Sequence, residues 1–174
     1  MKEITDYVLI PKERIAVLIG KQGKVKRDIE RKGKVAIDID SESGEVAVTR
    51  KLSKDPSMAL VALDVIKAVA RGFSPQKAYK LWTPNIYLET IDLTEFLGPS
   101  AKALERVRAR LIGREGKVRN YIARLTSVDI VIYGKTVSIL GESDNVGLAK
   151  EALFKLIEGL PHNAVFRFLE SRRM

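Results

Sequence analysis

Apolar and polar positions along this 174-residue chain switch between a period of two and a helical period, and the switch points mark its elements. Ile4 to Ile10 is rich in β-branched and apolar residues and stops at Pro11, which predicts a strand with a defined end. Ile15, Leu18 and Ile19 then fall at helical spacing within Lys12 to Ile19. Beyond Gly20-Lys21-Gln22-Gly23, Val25 and Ile29 lie four apart on one helix face, and Lys24, Lys26, Arg27 and Arg31 fall mostly off that stripe. Gly33 is expected to end this helix. Val35, Ile37 and Ile39 alternate with Ala36, Asp38 and Asp40 as a half-buried strand, and after a turn at Gly44 the chain returns through Val46 and Val48. Asp55-Pro56 offers an N-cap and a first-turn proline to a helix through Val61, Val65, Ile66 and Val69 to Gly72. The predicted order is β-α-α-β-β-α.

The same order then repeats. A constant offset of 93 residues carries Leu18-Ile19-Gly20 onto Leu111-Ile112-Gly113, Lys24-Val25 onto Lys117-Val118 and Ile29 onto Ile122. It also carries Val35 to Ile39 onto Val128 to Ile132. After small insertions and deletions, Tyr79-Lys80-Leu81 matches Phe166-Arg167-Phe168. Two copies are too few for a stacked array, so tandem domains are expected. The predicted boundaries are a first domain at 1–73, a helical linker at 74–84, a second domain at 85–160 and a C-terminal helix at 161–174. Thr94 to Ser100 is an insertion particular to the second copy, and Ser143 and Asp144 offer caps for its last core helix. Tyr79, Trp82, Phe166 and Phe168 are expected to be packing residues.

Composition narrows the chemistry. At 45% hydrophobic and 30% charged the chain is globular, and no apolar run approaches the roughly 20 residues of a membrane span. The opening Met1-Lys2-Glu3-Ile4 lacks the apolar core of a secretion signal, so a soluble, cytoplasmic protein is expected. There is no cysteine, which removes disulfides, thiolate nucleophiles and thiolate zinc sites, and no cofactor or metal is expected. The lone histidine, His162, reads as a turn residue.

Net charge is +9, yet Lys12–Lys34 and Lys102–Arg124 each carry +6, so the rest of the chain is acidic. Both basic windows surround a Gly-x-x-Gly loop, Gly20-Lys21-Gln22-Gly23 and Gly113-Arg114-Glu115-Gly116. Glycines without a Cβ let a nucleic-acid backbone come close, and the following helix N-terminus directs N–H groups and positive dipole at a phosphate. The candidate RNA-binding residues are Gly20, Lys21, Gln22, Gly23, Lys24, Lys26 and Arg27, then Gly113, Arg114, Glu115, Gly116, Lys117 and Arg119. Aromatic residues at 6% are too sparse for an extended stacking surface, so phosphate contacts are expected to dominate. A nucleotide-binding P-loop is excluded, because neither the spacing nor the hydroxyl is present. A metal-dependent nuclease using Asp38 and Asp40 is a minor alternative, and a protein-binding scaffold or general RNA regulator a stronger one.

Three helices on a three-stranded sheet, with Ile-Gly-x-x-Gly joining the first two helices, resemble a type I KH domain, twice over. The resemblance implies an α+β fold and single-stranded RNA binding, with each loop clamping the backbone of about four nucleotides. It also implies apolar grooves shaped by Val25, Ile29 and Val35 to Ile39, and by Val118, Ile122 and Val128 to Ile132. Arg110 to Arg119, Ile130 to Gly141 and Gly72 to Ala78 resemble the partner-of-Nob-one family of KH proteins, in its compact archaeal form. That likeness implies no catalysis, action in ribosome biogenesis and binding near the 3′ end of small-subunit rRNA. It names a PIN-domain endonuclease and a translation initiation factor as partners. Eukaryotic relatives carry a degraded first loop, whereas Gly20 to Gly23 is intact here. Glu115 places a carboxylate in the second clamp, so charge favours the first copy and the family pattern the second.

Overall fold

The computed structural model describes residues 2–53 and 55–173, and it divides into two compact units, 1–84 and 85–174. The outermost residues of the expected first and last segments, Met1 and Met174, fall outside the described residues.

In the first unit, strands β1 (Glu3–Leu9), β2 (Ala36–Ile39) and β3 (Glu45–Lys51) form an antiparallel sheet in the order β1-β3-β2. This order leaves β2 at an edge. Helices α1 (Lys12–Ile19), α2 (Lys24–Gly33) and α3 (Ser57–Ala70) cover one face. Alternation puts Val46 and Val48 of the central strand inward, at 0% and 1% exposure, and Leu18, Ile29, Val65 and Ile66 of the helices are buried as deeply.

Three local details differ from expectation. The left-handed residue that ends α2 is Lys34 (φ 54°), not Gly33. Gly33 is the last helical residue, and a Cβ there would lie 2.5 Å from Ala62 Cβ, so glycine serves the α2–α3 packing. At the start of α3 the Asp55 carboxylate accepts the Ser57 N–H at 2.9 Å, and Pro56 precedes the helix instead of occupying its first turn. Thirdly, the 74–84 segment is part of the first unit. Ser74 caps α4 (Pro75–Ala78) by accepting the Lys77 N–H, a 3-10 turn continues over Tyr79–Trp82, and Ala78 and Leu81 bury against α3. Arg14 reinforces this, donating to Val69 O at 2.9 Å and Phe73 O at 2.7 Å.

The second unit repeats the plan. Strands β4 (Ile86–Asp92), β5 (Asp129–Tyr133) and β6 (Thr136–Glu142) pair antiparallel in the order β4-β6-β5. The insertion before the first core helix forms a short helix, α5 (Thr94–Leu97). Then come α6 (Ala101–Ile112), α7 (Lys117–Thr126), α8 (Ser143–Ile157) and α9 (His162–Arg172). Ser100 caps α6 by accepting the Ala103 N–H, whereas neither Ser143 nor Asp144 caps α8. Leu111, Ile122, Ile139, Leu153 and Leu156 are fully buried, and α9 closes the core through Val165 and Leu169. His162 belongs to this closure: its Nε2 lies 3.0 Å from Arg110 O, and since a carbonyl can only accept, that nitrogen carries the proton.

Candidate nucleic-acid interface

Each Gly-x-x-Gly segment forms a single 3-10 turn between two helices, and the two have the same backbone. Gly20 and Gly113 have φ/ψ of 75°/174° and 73°/176°, Gln22 and Glu115 have 55°/28° and 56°/25°, and Gly23 and Gly116 have 75°/14° and 76°/12°. The turns close with Gly23 N–H to Gly20 O at 3.1 Å and Gly116 N–H to Gly113 O at 3.2 Å. No side chain caps α2 or α7, and neither has an acidic residue in its first turn, so the helix starts keep donors for a ligand.

The two glycines of a loop do different work, which corrects the expectation that both make room for a ligand. A Cβ on Gly20 would point inward, 2.8 Å from Val25 N, and one on Gly113 would lie 2.9 Å from Val118 N. These first glycines are needed for the loop to close on its own helix. A Cβ on Gly23 would meet the guanidinium end of Arg27 at 2.9 Å, and one on Gly116 the guanidinium of Arg119 at 2.7 Å and the Asn120 amide at 3.6 Å, side-chain ends that can swing away. The second glycine thus has only movable side-chain ends beside it, although Gly116 itself is buried and Gly23 partly so.

The expected grooves also change. Ile29 and Ile122 are fully buried and Val118 nearly so, so they support the groove from within instead of lining it. Along β2, Val35 and Ile37 face the core while Ala36 and Asp38 are exposed. At this edge the outward N–H of Ile37 is taken by Glu30 Oε2 at 3.0 Å, and Lys26 lies 3.6 Å from the other oxygen of the same carboxylate. The position matching Glu30 in the second unit is Ala123, which has no side-chain acceptor to offer Ile130.

Charge is likewise distributed unequally. In the first unit Asp28 engages Lys24 at 3.0 Å and Arg31 at 3.4 Å, and Arg27 folds back to donate to Gln22 O at 2.6 Å. The hydrogen bond from Lys24, with the charges of Lys24, Arg31 and Arg27 behind it, holds the Asp28 carboxyl below its usual range. Tyr79 lies beside Asp28, and burial followed by that negative charge pushes its hydroxyl pKa up. Lys21 remains exposed at the loop tip.

In the second unit the position of Asp28 is Tyr121. Arg114 and Lys117 are exposed with no carboxylate against them among the described residues, Arg119 donates to the neutral Asn120 at 3.3 Å, and Arg124 lies 5.1 Å from the Tyr121 ring centroid. Glu115 is exposed at the loop tip. With equal formal charge in the two windows, Lys24, Lys26 and Arg31 of the first unit stand against carboxylates, whereas Arg114 and Lys117 of the second do not, a difference that charge counting does not register. Sequence alone missed Asp28, Glu30 and Tyr121. Their helical i,i+4 spacing from Lys24, Lys26 and Lys117 was the available signal.

The remaining candidates have other roles. Asp40 accepts the backbone N–H groups of Glu42 and Ser43, which lower its pKa and make it a turn former beside the exposed Asp38. Among the described residues no cluster of three or more His, Asp or Glu could hold a metal, and no helix is long and apolar enough to cross a membrane. Trp82 and Phe168 are half-buried under cations, Lys32 at 5.8 Å and Lys155 at 4.8 Å from the respective ring centroids.

Comparison with known proteins follows the same division. A family profile described as the eukaryotic type KH domain (KH-domain type I) matches residues 87–174, and a KH domain profile matches residues 5–54. A KH domain-containing protein of Methanocaldococcus jannaschii is 40% identical over 168 residues, covering 97% of this chain and 74% of that one. The pre-rRNA-processing protein PNO1 of Chaetomium thermophilum is 28% identical over 170 residues, 95% of this chain and 64% of that one. Among solved structures, a chain in the a/eIF2alpha–aDim2p–rRNA complex from Pyrococcus horikoshii OT3 is 46% identical, with a TM-score of 0.89 over 98% of this chain and 94% of that one.

Proposed function

Because this chain belongs to the PNO1/Dim2 family of KH-domain proteins, we propose that it binds single-stranded RNA and acts in the cytoplasm during maturation of small-subunit rRNA, close to the 3′ end. It does so as a binding protein, without a catalytic step of its own. The observation that carries the reading is the pair of loops with one backbone geometry, each opening an uncapped helix in a basic setting. Such a loop can hold phosphates through N–H groups and through Lys21, Lys24, Lys26 and Arg27, or Arg114, Lys117 and Arg119. The second unit takes the larger share, since its cations are not spent on carboxylates. The complex of a similar archaeal protein with rRNA and an initiation factor supports rRNA as ligand and a translation initiation factor as partner here. A PIN-domain endonuclease acting at the same rRNA end fits the reading as a second partner.

The test replaces Lys21-Gln22 and Arg114-Glu115 by paired Asp. Asp tolerates the left-handed backbone of positions 22 and 115 better than most residues, so the fold should survive. Binding to single-stranded RNA should be abolished, while the wild type shows log affinity falling with log salt by about 0.7 per phosphate neutralised. Full affinity in the four-residue variant would sink the clamp. Crosslinks to total RNA should cluster at the 3′ end of small-subunit rRNA, and scattered mRNA sites would favour a general regulator.

A further inference from the structure

Beside its loop, the second unit holds a pocket of about 570 Å³ between α7 and α9, lined by Lys117, Val118, Asn120, Tyr121 and Arg124 of α7 and by Phe166 of α9. It begins one residue beyond Gly116. Lys117, Tyr121 and Arg124 share one helix face by their spacing of four and three. Tyr121 and Phe166 meet edge to face, centroids 4.6 Å apart at 78°, and His162 stacks behind Phe166 at 6.2 Å and 17°. The Tyr121 hydroxyl donates to Glu170, which fixes the ring. In a chain with 6% aromatic residues, three rings gathered next to a cationic loop form a local concentration of stacking surface.

The first unit shows what the same place looks like without this chemistry. The matching pocket, about 600 Å³, is lined by Lys24, Arg27, Asp28, Glu30 and Arg31. Asp28 stands where Tyr121 stands and binds both Lys24 and Arg31, the counterparts of Lys117 and Arg124. In the first pocket two carboxylates stand among three cations, and no aromatic ring lines it. The second pairs apolar ring surface with two cations, and none of its lining residues is acidic.

We propose that the α7–α9 pocket is a nucleotide subsite: a base of the RNA next to the stretch clamped by residues 113–116 enters the corner between Tyr121 and Phe166, and its phosphate lies against Lys117 and Arg124. Ring surface takes any base, and the flanking cations select a nucleotide over a neutral peptide. The subsite rests on the RNA-binding reading above and extends it from the loop to the C-terminal helix. The second unit then reads more RNA than the loop alone reaches.

The experiment titrates the full chain with fluorescent single-stranded RNAs of four to eight nucleotides. For the wild type, affinity should rise about tenfold as the RNA outgrows the four or so nucleotides of the loop. Phe166→Leu should lose that gain while keeping four-nucleotide affinity, whereas Tyr121→Asp, which rebuilds the arrangement around Asp28, should lose the gain and also lower four-nucleotide affinity by engaging Lys117. Circular dichroism checks that both variants fold. A 4-thiouridine at the added position should photo-crosslink to the 117–124 or 162–172 peptide. If both variants keep the wild-type length dependence, or the crosslink falls elsewhere, the subsite is overturned and the loop reading stands. If wild type binds no single-stranded RNA of any length, the broader reading fails first.

Discussion

Replacing Gly20 and Gly23 singly by alanine separates the two tasks of one loop. At Gly20, φ 75° and ψ 174° lie in a region essentially reserved for glycine, which costs an alanine about 1–3 kcal/mol. Its Cβ would also sit 2.8 Å from Val25 N, and overpacking of this kind costs about 1–3 kcal/mol more. The sum, roughly 2–6 kcal/mol, is a large part of the roughly 5–15 kcal/mol that holds a small domain folded. At Gly23, φ 75° and ψ 14° are ordinary left-handed backbone, worth about 1–2 kcal/mol, and the neighbour at 2.9 Å is the movable end of Arg27. The chain has one tryptophan, Trp82, in the first unit, so its fluorescence during urea unfolding reports that unit. Gly20→Ala should shift the transition far to lower urea, equivalent to about 8 °C or more in Tm at the lower bound. Gly23→Ala, at about 1–2 kcal/mol, should shift it less than Gly20→Ala and also act on RNA affinity. Equal shifts for the two variants, or a Gly20→Ala protein as stable as wild type, would refute the assignment of the first glycine to packing.

Two further outcomes are expected. Glu30→Ala frees the Ile37 N–H at the β2 edge and releases Lys26, so RNA affinity measured in a chain whose second loop carries the paired Asp replacement should increase; no change would show that Glu30 does not close this edge. Tyr121 should titrate above its ordinary value of 10.0, because the neutral phenol donates to Glu170. This raised folded-state pKa gives a contribution to stability that is present in full below the unfolded value and lost as pH rises through the folded one. Absorbance at 295 nm should detect the late ionisation, and Glu170→Gln should move it down; an unshifted Tyr121 in that variant would contradict the contact.

The duplicated β-α-α-β-β-α plan was legible because each element announces itself locally, by alternation in Val46 and Val48 or by four-residue spacing in Val25 and Ile29. The Lys12–Ile19 helix matches expectation residue for residue. What sequence did not disclose is direction. Nothing in Gly20-Lys21-Gln22-Gly23 says that the first missing Cβ points at Val25 and the second outward. Periodicity put Ile29 and Ile122 on a helix face without revealing that this face is wholly covered. The short apolar pattern of 74–84 names no partner in the sequence, and in the structure the segment packs against α3. Charge counting failed for a similar reason. A tally of Lys and Arg cannot register that one carboxylate, Asp28, holds two of them.

The inward-facing glycine has a consequence for the thermodynamics of complex formation. A turn that cannot open without displacing the valine behind it keeps one outline whether empty or filled, so the protein surrenders little freedom there when a strand arrives. The entropy lost on association falls instead on the sugars and phosphodiesters of the incoming strand. Stiffening that strand chemically in its bound shape should then tighten the complex with no change to the protein.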